Sequence, residues 1–300
     1  MNQARPDTIN TFRDALRTKS FSLLGQLRLH EDNTREDVIN QASTLAEAVD
    51  AVSITDSPNG VLHMSGLAIS ALLLNEGIDP VLQLSTRDRN RIALKSELLG
   101  AAALGVTSFL LHRGDPLPKN EKPNLTQVFD TGAKRFLKTA SQLSKFQVAQ
   151  GKPALQLGTL ATAFGPEEDW QPIELSAKVD AGANFVQTQI CLDLALLERY
   201  MRFLVAAKLT WRCQIIVSIP VLTTPGAARW LYENMRGSVV PASVVAEFES
   251  APDPEAHGIQ FAANMLQAVK EIPGVSGANL SCTGDPEHII AAVKTAGLDD

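Results

Sequence analysis

Eight short apolar runs separated by amphipathic stretches recur along the chain, and this alternation limits the possible folds more than any other feature. The runs lie at residues 20–27, 50–55, 80–85, 106–112, 154–160, 184–190, 214–219 and 277–282 and are rich in Val, Ile, Leu and Phe. Continuous apolar runs of this length read as strands buried on both faces, the pattern of a parallel sheet. The stretches between them read as helices. Residues 34–48 open on Thr34 with Asp37 three residues on, close to a capping box. Residues 89–104 carry Ile92, Leu94, Leu98, Leu99 and Ala102, read as one face. Residues 193–207 and 225–235 repeat the theme, and 241–271 holds two helical stretches divided by Pro252 and Pro254. Eight such units predict an α/β chain folded as a single-domain (β/α)8 TIM barrel over residues 19–300, after an N-terminal extension or helix over 1–18. The competing open, doubly wound sheet usually announces itself by Gly-x-Gly-x-x-Gly after its first strand, and that motif is absent.

Composition removes several function classes. The net charge of −6 offers no basic face to a nucleic acid. Cys191, Cys213 and Cys282 are scattered and odd in number, which fits a reducing compartment better than a disulfide framework. Neither Cys-x-x-Cys nor His-x-x-x-His occurs, so no metal is expected. The segment Met1–Arg17 is polar and lacks the apolar core of a signal peptide. No apolar run reaches the roughly 18 residues of a membrane span. A cytoplasmic location is therefore expected.

Barrels of this kind place their chemistry at the C-terminal ends of the strands. Those ends carry Gln26, Arg28 and His30; Thr55 and Asp56; Gln83, Thr86, Arg87 and Asp88; His112, Arg113 and Asp115; Thr159; Thr188 and Gln189; and Ser281 and Cys282. Polar groups at nearly every mouth position call for a large polar ligand or for water. Each also has a plainer explanation. Asp115 would bond its own backbone in a turn, Gln189 would make a rim hydrogen bond, Asp88 would cap a helix, and Lys178 would sit solvated on a helix surface. The five histidines share no spacing and read as structural or exposed, and Cys282 reads as a small core filler.

Five segments carry a family pattern: DAVSITDSPNG (50–60), PVLQLSTRDRNR (80–91), TRDRNRIALKSELLGAAALGV (86–106), the HRGDP turn (112–116) and KVDAGANFVQTQ (178–189). Together they resemble methylenetetrahydrofolate reductases, in particular the short bacterial form found in acetogens, over about Phe21 to Leu298. The resemblance implies FAD at the barrel mouth. NAD(P)H would reduce the flavin, which would pass hydride to 5,10-methylenetetrahydrofolate and give 5-methyltetrahydrofolate in a ping-pong sequence. It assigns Asp115 and Gln189 to the pterin: a carboxylate accepts from its amide and amino groups, and a side-chain amide both donates and accepts. It assigns Thr55, Gln83, Arg87, Asp88, Arg113, Gly114, Asp115 and Lys178 to the flavin, with Lys178 near the ribityl and phosphate groups. Oligomeric state and the need for an accessory subunit stay open.

Two departures from the family stand out. The family's first strand ends on a glutamate, its general acid, followed shortly by two prolines. Here Gln26 takes that place, and Leu29 and His30 replace the prolines. A glutamine delivers no proton, so reduction of the methylene group should slow unless His30, Glu31 or Asp115 compensates. Oxidation of 5-methyltetrahydrofolate begins with hydride removal and depends less on that acid, which points to a chain suited to the oxidative direction. The second departure is GTLATAFGPEEDWQP (158–172), which lacks the Tyr-Pro-Glu-type loop that helps many reductases hold FAD. Two alternatives therefore stay open: a non-catalytic folate- or flavin-binding subunit, and a folate-dependent methyltransferase barrel.

Overall fold

The computed structural model describes residues 10–117 and 126–299. Strands β1 (Ser22–Gln26), β2 (Ala51–Ile54), β3 (Pro80–Ser85), β4 (Ser108–His112), β5 (Gln156–Ala161), β6 (Phe185–Thr188), β7 (Gln214–Val221) and β8 (Val275–Cys282) close into one parallel barrel in sequence order. Each apolar run yields its strand, so the chain is a (β/α)8 TIM barrel. Helices α1 (Phe12–Thr18), α2 (Arg35–Leu45), α3 (Gly66–Asn75), α4 (Arg91–Leu104), α5 (Ala133–Ala149) and α6 (Ile173–Asp180) precede β1 to β6 in turn, α1 leading into β1. α7 (Leu194–Ala206) leads to β7; α8 (Pro225–Asn234), α9 (Ala242–Ser250) and α10 (Pro254–Glu271) fill the β7–β8 crossover; α11 (Glu287–Thr295) follows β8.

Local chemistry sets the helix ends. Thr34 and Asp37 form the expected capping box on α2, each side chain accepting from the other's backbone N–H. α4 starts on Asn90, whose side chain accepts from the Ile92 and Ala93 amides, so Asp88 is not its cap. The buried face of α4 also differs from expectation. Leu94, Leu98 and Ala101 pack inward, whereas Ile92 and Leu99 are exposed. Ile92 and Leu99, seven residues apart, fall roughly 140° around the helix from that stripe at about 100° per residue and so lie on its outer face.

The core has two parts. The larger cluster lies between strands and helices. A smaller one fills the barrel floor with Leu24, Ala51, Val81, Leu110, Phe185 and Ile216, closed from below by Phe12 and Leu16 of α1. Phe12 meets Phe185 edge-to-face at 5.4 Å. The N-terminal helix is thus a plug for the barrel bottom. Strand side chains alternate in direction, so the residues two further along each of these six strands also face inward. Those residues are Gln26, Ser53, Gln83, His112, Gln187 and Ser218. The barrel is greasy at its floor and polar above it.

The plug rests against a titrating group. Asp79, 3% exposed, accepts a hydrogen bond from the Phe12 amide at 2.8 Å. Burial pushes its carboxyl up to about 7, with Asp14 adding to the rise, against the Phe12 hydrogen bond and Arg13. Between about pH 4 and 7 the folded chain keeps a proton that the unfolded chain has lost, so stability falls as pH rises through that window. Asp79→Asn keeps the acceptor for Phe12 and removes the titration. Urea melts should show a flatter stability–pH curve, with the variant more stable than wild type at about pH 8 by on the order of 2–4 kcal/mol. Parallel wild-type and variant curves would show that Asp79 is ionised in the folded chain.

Candidate functional site at the barrel mouth

A cleft of about 940 Å³ opens over the C-terminal ends of β4, β5 and β6. Arg113, Gly114, Asp115, Lys178 and Gln189 all line it, so five of the residues expected at the site come together. Asp115 follows the Gly114 turn after β4, and Gln189 follows the last residue of β6. Gly114 has φ +80°, and a Cβ there would lie 3.0 Å from Arg87 Cβ and 3.1 Å from Ser85 Cβ, so the turn needs glycine. The Asp115 carboxylate is exposed and takes no hydrogen bond from the described residues, its own backbone included. The Gln189 amide is likewise without a partner among them, though its backbone N–H is fixed to Ala161 O at 2.7 Å. The plain turn and rim roles are therefore not what occupies these two side chains.

Lys178 is no solvated surface lysine. Its Nζ donates to Leu160 O at 2.8 Å, and burial holds its ammonium below its ordinary value against the pull of Glu174. Gly132, Ala133 and Lys134 at the start of α5 face the same cleft, and that helix end has no side-chain cap. Phe164, Trp170 and Tyr200 wall the cleft, Trp170 packing on Phe164 at 5.0 Å and on Tyr200 at 5.8 Å. The 158–172 segment thus supplies an aromatic wall in place of the family loop it lacks.

The other expected residues lie around this cleft rather than in it. Thr55 and Gln83 are buried, and Gln83 Nε2 donates to Ser53 Oγ at 3.0 Å in the polar barrel interior. Arg87, also buried, donates to both Asp88 oxygens at 2.7 and 2.6 Å and to the Ser57 carbonyl at 2.8 Å. Beside this pair, Arg89 grips Asp56 with two bonds at 2.8 and 2.9 Å. Burial works to raise the Asp56 carboxyl, but Arg89 and the Ser85 amide outweigh it and hold the group below its ordinary value. The Arg89–Asp56 pair and the Arg87–Ser57 hydrogen bond tie the loops after β2 and β3 together.

Gln26 lies across the barrel, in a smaller pocket of about 310 Å³ between the β1 and β8 loops. Arg28, His30 and Cys282 line it too. Cys282 packs against the main core cluster, as expected, and also lines this pocket. Its Sγ accepts from the Gly284 amide at 3.2 Å, and burial pushes its thiol up to about 11. His112, read from sequence as structural, lines the large cleft. Its place at the end of the β4 run was the available signal. Among the described residues no three His, Cys, Asp or Glu side chains group as metal ligands, and no helix is long and apolar enough to cross a membrane.

The methylenetetrahydrofolate reductase family profile matches residues 30–283. The chain belongs to the methylenetetrahydrofolate reductase family. That match takes in the strand ends from β2 to β8 and hence most of the mouth. No curated protein matches the chain. Among solved structures, an uncharacterized protein from Clostridium thermocellum that binds two copies of 5-methyl-5,6,7,8-tetrahydrofolic acid superposes with a TM-score of 0.67 at 11% identity, over 95% of this chain and 97% of that one. A 2,3-dimethylmalate lyase of the PEP mutase/isocitrate lyase superfamily gives a TM-score of 0.49 at 12% identity, over 89% and 77%. The first of these likenesses concerns the fold. The family membership rests on the profile.

Proposed function

We propose that this member of the methylenetetrahydrofolate reductase family is a cytoplasmic enzyme that interconverts 5,10-methylenetetrahydrofolate and 5-methyltetrahydrofolate by hydride transfer, using FAD and NAD(P)H. The observation that carries the reading is the pair formed by Asp115 and Gln189. Two polar side chains on strand ends of one cleft have no hydrogen-bond partner among the described residues, and their donor and acceptor sets suit the mixed edge of a pterin. Binding of 5-methyltetrahydrofolate by a protein of the same fold supports a folate at such a mouth.

The residues present fit the cofactor. The cleft volume suits a large planar ligand. The Gly114 turn, closed to any Cβ, leaves bare backbone beside Asp115. Lys178 keeps protons beyond the one given to Leu160, and the uncapped start of α5 offers free N–H groups and Lys134 to phosphate. Arg113, Gly114 and Lys178 would hold the flavin in the cleft, with Thr55, Gln83, Arg87 and Asp88 supporting it from the adjoining loops. When bound, it would accept and return hydride. Asp115 and Gln189 orient the pterin, and the Phe164–Trp170–Tyr200 wall excludes water from one side.

Gln26 favours a second reading, a folate-binding protein without reductase activity, because the family's acid is missing. One experiment separates the two. Anaerobic protein loaded with FAD should lose its absorbance near about 450 nm when 5-methyltetrahydrofolate is added, because hydride reduces the flavin. It should also gain several degrees in melting temperature from FAD. Protein that stays colourless and gains no stability from FAD sinks the flavoenzyme reading. Protein that binds folate without bleaching favours the non-catalytic one.

A further inference from the structure

His112 ends β4 and faces the polar upper barrel. Its Nδ1 lies 3.1 Å from the Gly114 amide, which donates to it. A backbone N–H only donates, so Nδ1 carries a lone pair and the proton of the neutral ring sits on Nε2. Burial, the largest influence, and then Arg87 and Lys178 lower the imidazole's pKa, while Asp56 and Asp115 pull the other way; the net effect is below the ordinary value. The neutral ring is therefore the form at neutral pH. Its Nε2 is buried and has no partner among the described residues. Neither has Ser85 Oγ, on the β3 residue in register with His112. A buried donor left unpaired is costly and rare.

We propose that His112 is a hydrogen-bond donor which the cleft holds for its ligand, with Nε2–H directed to a carbonyl oxygen or ring nitrogen of the pyrimidine edge that pteridines and isoalloxazines share. Ser85 Oγ supports the same edge. The inference rests on the proposed folate and flavin chemistry of the mouth and adds to it a residue to which the resemblance assigns no role. Such a donor stabilises electron density on the acceptor atom without delivering a proton, so it orients and polarises the ring it touches.

The test uses His112→Leu, which fills the space without a donor, and His112→Gln, which restores an N–H at similar reach. FAD and 5-methyltetrahydrofolate are titrated separately by calorimetry, and the unliganded proteins are melted. His112→Leu removes an unpaired buried donor but also the acceptor of the Gly114 amide, so it should melt within a few degrees of wild type. Its Kd for at least one of the two ligands should rise about tenfold or more, while His112→Gln stays within about threefold of wild type. The ligand that responds identifies the ring. Wild-type Kd values for both ligands in His112→Leu would overturn the inference and leave the proposed function standing. Wild-type protein that binds neither ligand would overturn both. Should His112→Leu not fold, the ¹⁵N-resolved imidazole signal of wild-type His112 replaces it. A shift of Nε2–H on adding either ligand supports the donor role, and an unmoved signal overturns it.

Discussion

Asp115→Ala and Gln189→Ala are each expected to weaken 5-methyltetrahydrofolate binding or turnover by about tenfold or more while leaving the melting temperature unchanged. The reasoning runs through what each side chain does in the ligand-free protein. Neither makes a hydrogen bond to the described residues, so truncation removes nothing that holds the fold. Asp115 is exposed beyond the Gly114 turn, and Gln189 is anchored only through its backbone N–H to Ala161. With a pterin bound, truncation leaves a ligand donor or acceptor unpaired in a partly dry cleft, which costs about 1–3 kcal/mol. Double-mutant additivity gives the finer answer. If the two side chains hold one ring together, removing both should cost less than the sum of the single losses, as for groups that share a partner. Calorimetry and steady-state kinetics check this, with a thermal melt as control. Wild-type folate affinity in both single variants would take these residues out of the site and leave the cleft without its polar anchors.

The barrel was legible because each strand is buried on both faces, so apolar runs such as 214–219 stand out against polar connections without any need to know their partners. The two helices of 241–271 were legible from Pro252 and Pro254. The inner face of the barrel was legible only in part. Once Leu24, Ala51, Val81, Leu110, Phe185 and Ile216 are placed on the floor, the polar layer above follows from a period of two, but sequence alone does not say which parity points inward. Pairings across loops were not legible. Arg89 and Asp56 are 33 positions apart, and nothing local distinguishes their union from the neighbouring Arg87–Asp88 pair. Motifs placed Asp115 and Gln189 near each other, and the structure sets them in one cleft. The resemblance put Gln26 with them, at the family's acid position, and the structure sets it on the opposite side of the mouth lining a second pocket. The unpaired proton of His112 depends on where the Gly114 amide points, and no residue pattern records that.

Gln26→Glu is expected to raise the rate of NADH-driven methylenetetrahydrofolate reduction, while flavin reduction by 5-methyltetrahydrofolate changes little. A general acid contributes about 10²–10⁴-fold where proton transfer is part of the barrier. Opening the five-membered ring of methylenetetrahydrofolate requires that proton, and removing hydride from the methyl group does not require it in its first step. The structure gives this expectation a geometric basis. Gln26 faces inward at the same level of the barrel as His112, two residues above the floor, and its amide has no partner among the described residues. A ligand anchored over β4 to β6 that extends across the mouth would therefore meet position 26. The alternative compensators stand differently. His30 and Glu31 are exposed on the loop after β1, beyond the inward-facing layer, and Asp115 stands on the far side of the mouth. Arg28 lines the same pocket as Gln26 and would favour the ionised form of a new carboxylate, so the gain should be larger at lower pH, where more of it is protonated. Stopped-flow measurement of both half-reactions over a range of pH decides the matter. If the substitution does nothing, or slows both directions alike, the amide only orients folate, the missing proton comes from elsewhere, and the direction of the reaction is not set at position 26.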